Sequence, residues 1–93
     1  MIQNKQHAIN RAKADLSKRL NITENQISEQ TIEDVDFPDA SLGVPVKDEM
    51  SAQMITEGVR IRLNANGKTY EYRTDAAGRE LRLFQFNGAN YIV

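Results

Sequence analysis

Five carboxylates, Asp34, Asp36, Asp39, Asp48 and Glu49, crowd one short stretch of the chain. They are hard oxygen donors of the kind that hold calcium or magnesium, so a metal or small ligand would be held in the acidic 34–49 segment. Their spacing does not follow an EF-hand loop, and Pro38 and Pro45 interrupt it. A solvated acidic loop is the expected reading, with the ligand site as its alternative. General acid–base work needs two carboxylates in differently desolvated settings, and the pattern separates no two of these. His7, the only histidine, has no nucleophile or orienting acid grouped with it, so it is expected on the surface. No Gly-rich phosphate loop opens a helix. Without cysteine there is no thiolate nucleophile, disulfide or Cys-based zinc site. The chain is therefore expected to be no enzyme, with no cofactor and no metal.

Two further groups can bind without catalysing. Arg60, Arg62 and Arg73 alternate onto one side of a hairpin, and Arg79 and Arg82 extend the stripe. Such a face can grip phosphates or an acidic protein, but it carries no interleaved aromatics, so nucleic acid is not expected. The other group is the proline-bracketed loop Asp39, Ser41, Leu42, Gly43, Val44 and Pro45, running on to Val46. Stiff apolar loops suit insertion into a partner's groove, because little ordering cost remains on binding.

The element that must position the arginines is a hairpin over 59–74. Val59, Ile61, Leu63 and Ala65 alternate with Arg60, Arg62 and Asn64, the period of a half-buried strand. Asn66-Gly67 supplies the two positive-φ residues of a type I′ turn. Counting outward pairs Leu63 with Tyr70, Ile61 with Tyr72 and Val59 with Thr74 on one face. Arg62 meets Glu71 and Arg60 meets Arg73 on the other. Upstream, Ala8, Ile9, Ala12, Leu16 and Leu20 recur at helical spacing, which predicts a helix over 5–20. Asn4 is its N-cap and Asn21 its left-handed terminator. Thr23-Glu24-Asn25-Gln26 reads as a capping box opening a single turn, with Ile22 and Ile27 as its staple.

Residues 28–37 read as extended but without strict alternation. A bulge near Glu33-Asp34 would bring Ile32 onto the face of Val35 and Phe37. The prolines and Gly43 exclude regular structure through 38–49. Met50–Ile55 fits either a helical turn or a short strand. Gly58 marks the start of the hairpin. After a turn at 75–78, Glu80–Phe86 is a strand whose core set is either Leu81/Leu83 or Phe84/Phe86, and a bulge at 83–84 would admit parts of both. Asn87-Gly88 repeats the hairpin signal, folding 89–93 back as a last short strand.

Ninety-three residues make a single domain over 1–93, and 40% hydrophobic with 27% charged residues is ordinary for a globular chain. The net charge of −1 predicts no general attraction to nucleic acid or membrane. It hides a separation into +4 over residues 1–23, −7 over 24–49 and +2 over 50–93, which is expected to be neutralised within the fold. No apolar run reaches membrane-spanning length and no leader-like segment opens the chain, so a cytoplasmic monomer is expected.

The run Phe37-Pro38-Asp39-Ala40-Ser41-Leu42-Gly43-Val44-Pro45 resembles a Trp-Pro-Asp-(Ser/Ala)-Ser-Leu-Gly-Cys-Pro motif. That motif belongs to a family of small uncharacterised bacterial domains, frequent in cyanobacteria and Chloroflexi. Residues 8–27 resemble its opening helix. Gln53-Met54-Ile55-Thr56-Glu57-Gly58-Val59-Arg60-Ile61 resembles its Gln-Val-Ile-Thr-Pro-Gly-Tyr-Arg-Ile run, and Tyr70-Glu71-Tyr72-Arg73-Thr74-Asp75 its Tyr-Glu-Tyr-His-Thr-Asp. Here Phe37 replaces Trp, Val44 Cys, Glu57 Pro and Arg73 His, so no role of that Cys or His carries over. The layout is also similar to PepSY-like and cystatin-like α+β domains, an analogy of fold alone. The sequence thus predicts an α+β fold, an N-terminal helix packed on a largely antiparallel sheet of about four strands. Its expected role is a non-catalytic interaction module with a protein partner. The sharper, protease-inhibitor-like version acts through the 39–46 loop.

Overall fold

The computed structural model describes residues 5–93, so the N-cap assigned to Asn4 lies outside the described residues. A helix, α1 (Lys5–Leu20), buries Ala8, Ile9, Ala12 and Leu16, the stripe its periodicity predicts. Asn21 ends it at φ 56, and the Ile22 N–H reaches back to the Ser17 carbonyl at 3.0 Å. A single 3-10 turn, Glu24–Gln26, follows, with the Thr23 N–H donating to the Gln26 side chain at 3.1 Å.

Five strands follow: β1 (Ile27–Phe37), β2 (Thr56–Ala65), β3 (Lys68–Asp75), β4 (Leu81–Phe86) and β5 (Ala89–Ile92). They lie side by side in chain order, every neighbouring pair antiparallel. The class is α+β as predicted, with one strand more than the expected four, because 89–92 does pair back on β4. The hairpin register is the counted one: Leu63 faces Tyr70, Ile61 faces Tyr72, Arg62 faces Glu71 and Arg60 faces Arg73. Asn66 and Gly67 take φ of 54 and 77, as the tight turn demands.

α1 covers one face of this sheet. Val59, Ile61, Leu63, Tyr72, Leu81 and Leu83 pack with the helix stripe, all of them at most 1% exposed. Burying such side chains contributes roughly 1.5–3 kcal/mol each, the main stabilising term of a domain this small.

Three local expectations need correction. The bulge in β1 lies at Gln30, between Glu29 and Thr31, rather than near Glu33-Asp34. Ile27 pairs with Ala65 and Ile32 with Ile61, both on the helix face. The two isoleucines are five positions apart, an odd spacing, so one inserted residue is needed to put both on that face. Val35 and Phe37 then fall on the opposite face. Both faces of the sheet are covered, so Phe37 is buried on the side away from α1. Second, Leu81 and Leu83 join the helix core together with Phe86, while Phe84 points away. The irregularity that permits this lies at Gln85, whose φ is 50, not at 83–84. Third, residues 50–55 form neither a helical turn nor a strand. Among the described residues no helix is long and apolar enough to cross a membrane.

Candidate functional site

The face of the sheet opposite α1 carries the arginines, and residues 38–55 lie across half of it like a strap. Its fold starts at Asp39, whose Oδ1 accepts from the Ser41 N–H at 3.0 Å, the Ser41 hydroxyl at 2.6 Å and the Gly43 N–H at 3.0 Å. These bonds stabilise the ionised carboxylate and hold Asp39 below its ordinary pKa, the Ser41 hydroxyl first. The wrapped backbone puts Leu42 and Gly43 in succession at φ 61 and 69. A glycine takes that region freely. A leucine is strained there, and the strain must be offset by the burial of its side chain.

That burial is complete: Phe37 is 2% exposed, and Leu42 and Val44 are 0%. The arginines hold the strap down. Arg73 donates from Nη1 to the Leu42 carbonyl at 3.0 Å, with its guanidinium over the Phe37 and Phe84 rings at 5.3 and 4.8 Å. Arg82, only 4% exposed, donates to the Val44 carbonyl at 3.1 Å. It also grips both carboxylate oxygens of Glu49, at 2.6 Å for Nη2–Oε2. That clasp lowers the Glu49 pKa and raises that of Arg82 against the opposing cost of burial. Asn90 closes the strap's far side by donating to the Pro45 carbonyl at 2.8 Å.

The two groups picked out in the sequence therefore meet. The Asp39–Val46 loop is seated on the arginine face, and each satisfies the other. Ser41, Leu42 and Val44 are buried, Asp39 and Gly43 half-buried, and only Pro45 of that set is exposed. Arg60 and Arg62 lie beyond the strap, sharing Glu33 and Glu71: Arg62 Nε is 3.2 Å from Glu71, and Arg60 Nε is 3.5 Å from it. The longer contacts to Glu33 are 3.8 Å from Arg60 and 3.7 Å from Arg62. Both arginines lie between carboxylates, with the Arg62 side chain still 38% exposed.

The acidic residues, by contrast, are drawn apart. Asp34 pairs with Lys5 at 3.2 Å, Glu49 with Arg82, and Asp39 serves its own turn. Among the described residues, no group of three acids or histidines is placed to hold a metal. With Lys13–Glu29 at 2.9 Å, these pairs show how the acidic middle meets the basic helix and sheet.

What the strap exposes is different chemistry. Met50 is 98% exposed, Ile55 74% and Met54 57%. Their backbone is tied to the anchored loop, since the Ala40 N–H donates to the Ala52 carbonyl at 3.0 Å and Glu49 immediately precedes Met50. The sequence reading left these three in an undecided element. Their signal was the lack of any period, between Pro45 and Gly58, that would bury them. Gly58, marked by sequence as the start of the hairpin, is also a point of close approach, where an added Cβ would collide with the Thr74 carbonyl and lie 2.8 Å from Phe37 Cε2.

A family model described as Domain of unknown function (DUF8738) matches residues 9–83. No curated protein and no solved structure matches the chain.

Proposed function

The chain belongs to this family of unknown function, and from that premise we propose that it is a non-catalytic protein-interaction module presenting Met50, Met54 and Ile55 to a protein partner. The observation that carries the reading is the grouping of three large apolar side chains, each more than half exposed, within six residues of an otherwise pinned strap. Unbranched methionines adapt to irregular partner surfaces, and exposed apolar groups close in sequence offer a partner something to bury. The clasped base beneath them lowers the ordering cost of binding. An inhibitor-like role is the sharper form of the same reading, with Met50 rather than the buried Leu42 entering the partner's groove. The likeness of residues 37–45 to a motif of bacterial domains supports a bacterial setting, and a cytoplasmic one goes with this reading.

The test is affinity capture from the native cell with the wild-type chain and with Met50→Ser/Met54→Ser/Ile55→Ser, both at matched stability. A stoichiometric partner held by the wild type, lost by the triple variant and kept by Arg62→Ala is expected. Equal recovery by wild type and triple variant, or recovery by neither, overturns the proposal.

A further inference from the structure

The sheet's two edges are built differently. β1 carries Glu29, Glu33, Asp34 and Asp36 along its length, together with the Gln30 bulge. Charges and bulges of this kind blunt an edge against further pairing. β5, at the other edge, lacks the charges: residues 83–93 contain no Asp, Glu, Lys or Arg, and only its shortness and the Gln85 bulge in its neighbour blunt it. Tyr91 and Ile92 are 36% and 52% exposed along it.

We infer that β5 is the pairing edge for a second copy of this chain, joined antiparallel about a two-fold axis through Tyr91. The backbone fixes which residues would pair. The Val93 N–H donates inward to the Leu81 carbonyl at 2.9 Å, so by strand alternation Tyr91 also turns its backbone groups inward. The N–H and C=O groups of Asn90 and Ile92 then point outward. In an antiparallel pair centred on Tyr91, Asn90 of one copy opposes Ile92 of the other, and both outward sets are satisfied at once. Tyr91 meets its own counterpart in the non-hydrogen-bonded position, where side chains approach most closely.

Electrostatics and shape favour a second copy as the occupant. No charged side chain lies on β5 itself, and Arg19, which a two-fold through Tyr91 brings toward its own counterpart, is already neutralised by Asp15 at 2.7 Å. Tyr91 faces Leu83 and stacks under the Arg19 guanidinium at 4.5 Å, which places it on the helix side. Ile92 opposes Arg82 and lies on the strap side. The helix side of the joint gains a Tyr91–Tyr91 contact, and on the strap side each Ile92 is covered by Asn90 of the other copy. The result is a continuous sheet with both helices on one side, in place of the monomer expected from sequence. β5 is only four residues long, so the joint is small and belongs with weak, reversible interfaces.

Sedimentation equilibrium over micromolar to millimolar concentrations, paired with amide hydrogen exchange, tests this. The wild type is expected to shift from monomer to dimer as concentration rises, with Asn90 and Ile92 amides slowing in parallel and β1 amides unaffected. Ile92→Lys, at a half-exposed edge position, is expected to stay monomeric with unchanged circular dichroism. If that variant misfolds, Ile92→Pro removes an outward donor and serves instead. Met50→Ser/Met54→Ser is expected to dimerise as the wild type does. A wild type that stays monomeric throughout, a dimer that survives both Ile92 variants, or association lost with the methionines overturns the inference.

Discussion

Arg82 Nη2 and Glu49 Oε2 lie 2.6 Å apart across 33 residues of sequence, joining the fourth strand to the strap. The guanidinium is fork-shaped and the carboxylate accepts both arms, a bidentate geometry that specifies position as well as supplying energy. Glu80 takes the remaining Nε at 2.9 Å, so the arginine is satisfied on every side although almost none of it reaches water. The clasp ties an irregular segment with two prolines to one place on the sheet.

Removing one partner tests the clasp. Glu49→Ala is expected to destabilise by about 1.5–3 kcal/mol, the range for hydrogen bonds to a charged group. The amides of residues 38–55 should lose protection well before those of β2 and β3. Urea titration and hydrogen exchange on the same sample read both effects.

Acid should loosen the same segment. Folding lowers the pKa of Glu49 from its ordinary 4.5, chiefly through Arg82, and that of Asp39 from 3.8, chiefly through the Ser41 hydroxyl. The native state therefore binds fewer protons than the unfolded chain in that range. The stabilisation is complete above pH 4.5 and is lost as pH falls through the lowered native values. Melting temperature against pH should show this slope, and Glu49→Gln should flatten it.

In the main core, Leu16→Ala is expected to cost about 2–5 kcal/mol, because the side chain is fully buried in the helix's apolar stripe. A small domain has only about 5–15 kcal/mol in total. Chemical denaturation should show a correspondingly earlier midpoint.

Gly58→Ala probes the opposite layer. The added methyl meets the Thr74 carbonyl and the Phe37 ring, neither of which is a flexible end. A loss of about 1–3 kcal/mol or more is expected from overpacking. Chemical shifts of Phe37 and Arg73 should move, while those of Ala8 and Ala12 stay put.

Calcium or magnesium at millimolar concentration is expected to leave the amide shifts of residues 34–49 nearly unchanged. Asp34, Glu49 and Asp39 are committed to Lys5, Arg82 and their own turn, respectively. Saturable, site-specific shifts in an NMR titration would bring the ligand-site reading back.

The legible parts of the fold were those set by local rules. Asn66-Gly67 determines a register by counting, and Ala8, Ile9, Ala12 and Leu16 mark one helix face without outside help. Long-range coupling stayed hidden. Ile27 and Ile32 share a face only because Gln30 bulges, which depends on a second covered layer that no spacing announces. The arginine stripe and the proline loop were both visible as candidates. That Arg73 and Arg82 bond to the Leu42 and Val44 carbonyls was not, since residue types do not reveal which distant backbone they will meet. Met50, Met54 and Ile55 had apolar type and no period, and only the path of the strap shows that they stay in water.

The order in which the core's halves occur along the chain bears on how a ribosome delivers it. Ala8, Ile9, Ala12 and Leu16 supply one half, while Val59, Ile61, Leu63, Tyr72, Leu81 and Leu83 supply the other. A nascent chain that has emerged only as far as residue 55 holds a finished apolar stripe with β1 alone and without β2 to β4. Isolated helices of that length are marginal in water, so α1 gains lasting order only when β2 to β4 have left the exit tunnel. Until then Ala8, Ile9, Ala12 and Leu16 are open to chaperones or to other nascent chains.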